Sequence, residues 1–486
     1  MGVGQQEADS AAFVSPTPSS SSVAAEASIA HENGIQEQEK GNCSTAAATN
    51  QGSLKAAEAK DDTLDVLIKD LVKISNFVYT FRDIRAIVKN NAQGEIKKRK
   101  TGWFSSEEYE VAYDRPELIL TQDGAQQKDK NQHLKYDITP DAIKLFMEKN
   151  RKWFKLEGGS WKFDETRTEK TELSAKKQIE LEKQLEIMMQ DNIKIIDYDD
   201  EFTTGDGGLC YGVIVNLTRK WITVVFRGSV GKTDFKTDAN FNLDYDSFFK
   251  SDSIMSGGKP GTHAGFTRYL VDEKMGDDDG RKCVERILAC VNEEFETNVD
   301  VAGKDFKLYV TGHSLGGGLA NLFAFRAAQL KAMKHESLKH LPDKITALTF
   351  AAPVVGNDDY NKEFQALEKM GILRHIRVSN EGDAVPTNEI PLPFSLFLKG
   401  GNSKLYTQNG VNLHLLPDKE LVVGYRNTKS FSSQFYWSNH GNPMKTAANH
   451  YVTEYIHRVE LPVNKKSACY QQTVEELYVH AGDCTN

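Results

Sequence analysis

The chain has 486 residues, a formal net charge of −9, 39% hydrophobic and 27% charged residues. Those values are ordinary for one large globular domain with additions, or for two domains. The acidic balance argues against a nucleic-acid binder, which needs a basic face, and no run of about 18 apolar residues marks a membrane-spanning helix.

Residues 1–60 are rich in Ala, Ser, Gln, Glu and Gly and nearly lack aromatic residues. Such a segment cannot bury enough apolar area to offset its chain entropy, so disorder is expected. It has no basic stretch followed by an apolar one, which argues against a secretory leader, and its acids (Glu7, Asp9, Glu26, Glu32) argue against a transit peptide. Gln6 stands where acylation at Gly2 wants Ser or Thr. Over 61–90, Leu64, Leu67, Leu71, Ile74 and Val78 recur at helical spacing, with Asp61, Asp62 and Asp65 suiting the positive N-terminal end. A helix packing on the main domain is expected there.

Residues 91–190 read as an inserted, partly helical cap or regulatory region. Lys97 to Lys100, followed by Trp103 and Phe104, read as a solvated loop in preference to a membrane-surface patch. Leu181, Leu185 and Met188 line one side of a charge-laced helical stretch. The texture changes at 191. "CYGVIVNL" and "WITVVFRG" form a hairpin-like pair, and Cys283, Ile287, Val291 and Phe295 share a helical face. "FKLYVTG", "ITALTFAAP" and "LRHIRVSN" alternate with helical segments, and "KLYTQNGVNLHLLPDKELVVGY" adds later strands. The fold class is therefore α/β over 191–465, a mostly parallel sheet with helices on both faces, followed by a tail over 466–486. The six cysteines make no CxxC pair, and Cys283 and Cys290 lie about 10 Å apart on one helix, too far to be bridged. Reduced thiols in an intracellular, cytoplasmic protein are expected.

Gly312-His313-Ser314-Leu315-Gly316 joins the strand "LYVT" to the helix "LANLFAF". G-x-S-x-G at a strand-to-helix turn is the nucleophile elbow: side chains at the two glycine positions would collide with neighbouring elements, and the serine stands exposed at a strained turn. The helix N-terminus aims its amides and dipole where negative charge develops. A serine hydroxyl needs a base, and the base an orienting acid, in the chain order Ser, Asp or Glu, His. Asp383 lies in the loop beyond a strand, beside Pro386, with Glu381 and Asp358 as rivals. Among the later histidines His450, at the start of a short helix whose Tyr451, Tyr455 and Val459 are expected on the sheet, leads over His440. His414 reads as a sheet residue and His457 points elsewhere.

These stretches resemble the class 3, or fungal-type, lipase family of the α/β-hydrolase superfamily. "VVFRGSVGKTDFKTD" looks like its oxyanion-loop segment, "HAGF" (His263 to Phe266) its following motif and "VTGHSLGGGLANLFAF" its elbow. "LTFAAPVVGNDDY" and "RVSNEGDAVP" look like its next strand and its acid loop. The likeness runs from about Tyr211 to Val459. It implies hydrolysis of carboxylic esters by Ser314, Asp383 and His450, with the Ser229 and Leu315 amides receiving the oxyanion and Gly312 and Gly316 shaping the elbow. Arg227 is expected to hold the oxyanion loop, and His313 to be a hydrogen-bonded structural histidine. No cofactor and no metal are implied; "DEKMGDDDG" lacks the ligand spacing of a calcium loop.

The family's short apolar lid is replaced by the polar "VGKTDFKTDANF". Beside acylglycerols, phospholipids or galactolipids therefore stand as alternative substrates, as does a non-catalytic lipase-like binding scaffold. "IPLPFSLFLKGG" reads equally as a lipid-docking surface or as packing against the insertion. The expected partner is an acyl lipid and not nucleic acid, with peripheral contact to a membrane or lipid-droplet surface left open.

Overall fold

The computed structural model describes residues 62–92, 193–199, 209–229, 243–247, 258–271, 282–298, 300–383, 406–425 and 448–483, with a few shorter pieces. Between 93 and 190 it describes only the backbone of two small antiparallel hairpins, Lys97–Lys98 with Glu108–Tyr109 and Phe154–Glu157 with Ser160–Phe163. The disorder expected for 1–60, the side chains at 97–104, the helical stretch around 181–188, the lid position 230–242 and the apolar loop after Asp383 lie outside the described residues.

Eight strands form one sheet in which spatial order follows chain order: β1 Ile193–Asp199, β2 Tyr211–Asn216, β3 Trp221–Phe226, β4 Lys307–His313, β5 Ile345–Phe350, β6 Leu373–Asn380, β7 Val411–Leu415 and β8 Val422–Tyr425. Strands β3 to β7 run parallel, while β1, β2 and β8 make antiparallel margins. The expected hairpin is β2–β3, pairing Asn216 with Trp221 around a turn in which Lys220 takes φ 55°. Parallel strands covered on both faces read as continuous apolar runs, and "WITVVF" and "ITALTF" are buried throughout.

Alternate side chains divide between two cores. Trp221, Val225 and Tyr309 meet α1 (Leu64–Ala92), whose Leu64, Leu67, Leu71, Phe77 and Val78 are all at most 2% exposed. Ile222, Val224 and Val310 face the other layer, made by α2 (Ala264–Val271), α3 (Cys283–Thr297), α4 (Leu315–Ala332) and α5 (Asp358–Lys369). The α4 helix is apolar almost all round, as a helix enclosed by sheet and neighbours must be. The first layer is completed by α6 (Val452–Val459) and α7 (Val474–Asp483). The stretch after 466, expected as a tail, thus buries Tyr470 and Leu477 beside α1, and the Gln472 carbonyl accepts the Leu64 N–H at that helix's start.

Polar groups inside the second layer are tied together. His375 on β6 meets the Asn409 Oδ1 at 2.6 Å and the Thr349 hydroxyl at 3.0 Å, while Tyr360 donates to Asn321 at 2.8 Å. Burial, with Arg377 adding to it, pushes His375 down to about 3. On β7, burial and then Arg458 push His414 down to about 4. Both imidazoles stay neutral in the fold, whereas the unfolded chain protonates them below about pH 6.5. Each should remove about 1.4 kcal/mol of stability per pH unit as pH falls from about 6.5 towards 4. The urea midpoint is expected to drop steadily from pH 6.5 to 5, with a shallower slope in His414→Gln; a flat midpoint over that window contradicts it.

Candidate active site

The end of β4 turns into α4 within a single residue. Ser314 takes φ 59° and ψ −128°, a left-handed region that costs a residue with a side chain, and its N–H is held by the Phe350 carbonyl of β5 at 2.9 Å. A Cβ at Gly312 would lie 2.3 Å from the Gly316 carbonyl oxygen, and one at Gly316 would lie 2.2 Å from the Phe226 carbonyl oxygen. The glycine spacing is therefore steric: backbone packs on backbone on both sides of the serine.

The structure brings the three expected side chains together. Ser314 Oγ lies 2.9 Å from His450 Nε2, and His450 Nδ1 lies 3.0 and 3.1 Å from the two Asp383 oxygens. A carboxylate only accepts, so Nδ1 carries the proton and Nε2 presents its lone pair to the serine hydroxyl. The Asp383 side chain has no exposure, so its charge depends on donors. Besides His450 it has the Val385 N–H at 2.9 Å and the Tyr455 hydroxyl at 2.7 Å.

None of the described rivals takes the place of Asp383 or His450 beside Ser314. Asp358 opens α5 and accepts the Thr407 hydroxyl, and Glu381 offers its backbone to Leu415 and Arg458. His414 is a sheet residue bonded to Ser379 at 2.9 Å, and His457 is exposed. His440 is not among the described residues.

Leu315 opens α4, so its N–H is among the first helical donors, which have no partner inside a helix. Ser229 follows Gly228, whose Cβ position is 3.1 Å from Ser314 Cβ, so this loop passes directly beside the nucleophile. Arg227 is buried at the loop's start, its N–H bonded to the Cys210 carbonyl at 2.9 Å. His313 turns away from the serine and bonds the His450 carbonyl at 2.7 Å. Among the described residues, no group of three or more His, Cys, Asp or Glu is placed to hold a metal ion.

One expectation needs correction. Tyr451 does not pack on the sheet: it is the N-cap of α6, in extended conformation, and is 47% exposed. The sheet contact falls to Val452, Tyr455 and Val459. Sequence reasoning also missed the polar supports. The Tyr455 hydroxyl joins Asp383 to the Asn380 N–H, and Arg458, 4% exposed, spans the Asn449 side chain and the Glu381 and Leu415 carbonyls.

A parallel sheet with antiparallel margins and a strand–serine–helix elbow at its centre is the α/β-hydrolase arrangement. Residues 223–392 match the family model described as lipase (class 3). That segment is similar to the class 3 lipases. It contains Ser229, Ser314, Leu315 and Asp383, while His450 and α1 lie beyond its limits. Curated relatives align over parts of the chain. Phospholipase A1-Igamma1, chloroplastic, of Arabidopsis thaliana is 37% identical over 101 residues, 21% of this chain and 18% of that protein. Phospholipase A1-II 3 of Oryza sativa subsp. indica is 25% identical over 181 residues, 36% of this chain and 40% of that protein. The chain thus spans less than half the length of these curated relatives. Among solved structures, lipase II from Rhizopus niveus is 21% identical, with 55% of this chain and 82% of that chain covered at a TM-score of 0.38.

Proposed function

We propose that this chain is a serine hydrolase of carboxylic ester bonds in acyl lipids, working through an acyl-enzyme intermediate. The observation that carries the reading is the unbroken contact from Ser314 through His450 to Asp383, at 2.9 and 3.0 Å, mounted on the left-handed elbow. His450 Nε2 takes the hydroxyl proton as Oγ attacks the ester carbonyl, and Asp383 balances the imidazolium charge. The Ser229 and Leu315 amides receive the oxyanion, where one such donor is typically worth about 10²–10³ in rate. His450 returns the proton to the leaving alcohol. It then activates the water that releases the fatty acid and restores Ser314.

Acylglycerols are the first substrate class to test, given the class 3 lipase segment. Phospholipids are the second, favoured by the phospholipase A1 names of the aligned relatives. A fluorophosphonate probe should label Ser314 in the full chain and not in Ser314→Ala. Fatty-acid release should follow from a panel of tri-, mono-, phospho- and galactolipids. Failure of the intact protein to label would favour a binding scaffold.

A further inference from the structure

We propose that Tyr79, on α1, is a positioning residue that fixes both the loop carrying Ser229 and the backbone carrying His450, acting through the imidazole of His313. The proposal rests on the acyl-hydrolase reading of the Ser314 site and extends it to a helix outside the family match.

The delivery of Tyr79 follows from element geometry. Ser75 Oγ lies 3.1 Å from Thr311 Oγ1, and Tyr79 OH lies 3.2 Å from His313 Nδ1. Four residues of helix rise about 6 Å and two residues of strand about 6.6 Å, so one seating of α1 along β4 satisfies both contacts. The same register that docks the helix brings the Tyr79 hydroxyl to the elbow.

The hydrogen bonds then have a single consistent direction. The Gly228 N–H donates to Tyr79 OH at 2.9 Å. At its other end, His313 Nε2 lies 2.7 Å from the His450 carbonyl oxygen, which only accepts, so Nε2 carries the proton. Nδ1 of the neutral ring is left as an acceptor, and the Tyr79 hydroxyl donates to it at 3.2 Å, with the His313 carbonyl oxygen a longer second acceptor at 3.4 Å. Neutrality is what the surroundings impose: burial, with His450 nearby, holds His313 well below the ordinary histidine range. The hydroxyl also occupies the place of a side chain at 228, where a Cβ would be 2.2 Å from it and 2.5 Å from the His313 carbonyl oxygen. Glycine next to Ser229 and the hydroxyl of Tyr79 are thus one device. It joins the oxyanion loop to the histidine that must reach Ser314.

Removing the hydroxyl releases the Gly228 N–H and leaves His313 Nδ1 without that donor, so both the oxyanion amide and His450 gain freedom. Displacements well under an ångström at reacting groups are costly, and about 1 Å can cost on the order of 10² in rate. Tyr79→Phe keeps the ring and its packing. On a soluble 4-nitrophenyl ester, the full-length variant is expected to lose about 10- to 100-fold in kcat with KM within about twofold. Fluorophosphonate labelling of Ser314 should slow by a similar factor, with the melting temperature nearly unchanged. His313→Gln should show the same kcat-only loss, and adding Tyr79→Phe to it should cost less than about twofold more, because both act in one chain of contacts. Wild-type kcat in Tyr79→Phe, a loss confined to KM, or multiplying effects in the double variant each overturns the proposal. If Tyr79→Phe does not fold, His313→Gln alone decides, by whether kcat falls without KM. A native protein that neither labels nor turns over removes the hydrolase reading, and this one with it. Labelled native protein with an indifferent Tyr79→Phe removes only the positioning role.

Discussion

Ser314→Ala is expected to lower kcat on a soluble ester by about 10⁶, and His450→Ala by about as much, with the double variant no worse than either. The non-additivity follows from the 2.9 Å contact between Ser314 Oγ and His450 Nε2. The hydroxyl is a weak attacker without the base, and the base has no proton to take without the hydroxyl. Residual turnover of roughly 10³–10⁴ over water should remain, since binding and the oxyanion amides are untouched. Single-turnover rates with purified variants measure all three. A double variant far below the singles would show that the two side chains act independently, against a shared proton transfer.

The second large effect is Asp383→Asn, expected to cost about 10⁴ in kcat with little change in fold. The amide is close in size to the carboxylate, and its one oxygen can still accept the Val385 N–H at 2.9 Å, while the NH₂ group takes the place of the oxygen that the Tyr455 hydroxyl meets at 2.7 Å, where the hydroxyl can turn to accept. Its NH₂ group, however, can donate to His450 Nδ1. That selects the tautomer with a proton on Nε2, which cannot accept one from Ser314. Thermal unfolding close to that of the native protein, alongside the lost rate, is the expected pair of readings. A loss below tenfold would mean that something other than Asp383 orients the imidazole.

What could be read from the sequence was whatever has a local steric or periodic cause. The elbow was legible because bare glycines flank Ser314 between an apolar strand and a small-residue helix, and the structure supplies the collisions that require them. The β2–β3 hairpin and the buried face of α1 were legible from their periodicities. Asp383 and His450 were reachable through chain order, with rivals that only three-dimensional contacts could remove. The polar supports were not legible. Tyr455 and Arg458 read as ordinary members of a short amphipathic helix, and nothing local marks Tyr79 as a partner of a group 234 residues away. Tyr451 misled because a helical repeat was extended one residue across a cap, where the backbone is still extended. The stretch after 466 looked like a tail because its elements are short; its burial depends on the cleft beside α1, which has no local signature.

The docking of α1 along β4 has a consequence for biosynthesis. Ser75 meets a strand residue 236 positions further along the chain. At about 5–20 residues per second, a ribosome needs on the order of 10 to 50 s to make that strand after releasing the helix. For that time a stripe of leucines, Phe77 and Val78 has no sheet to lie against, which makes it a natural target for a chaperone that grips hydrophobic segments on emerging polypeptides.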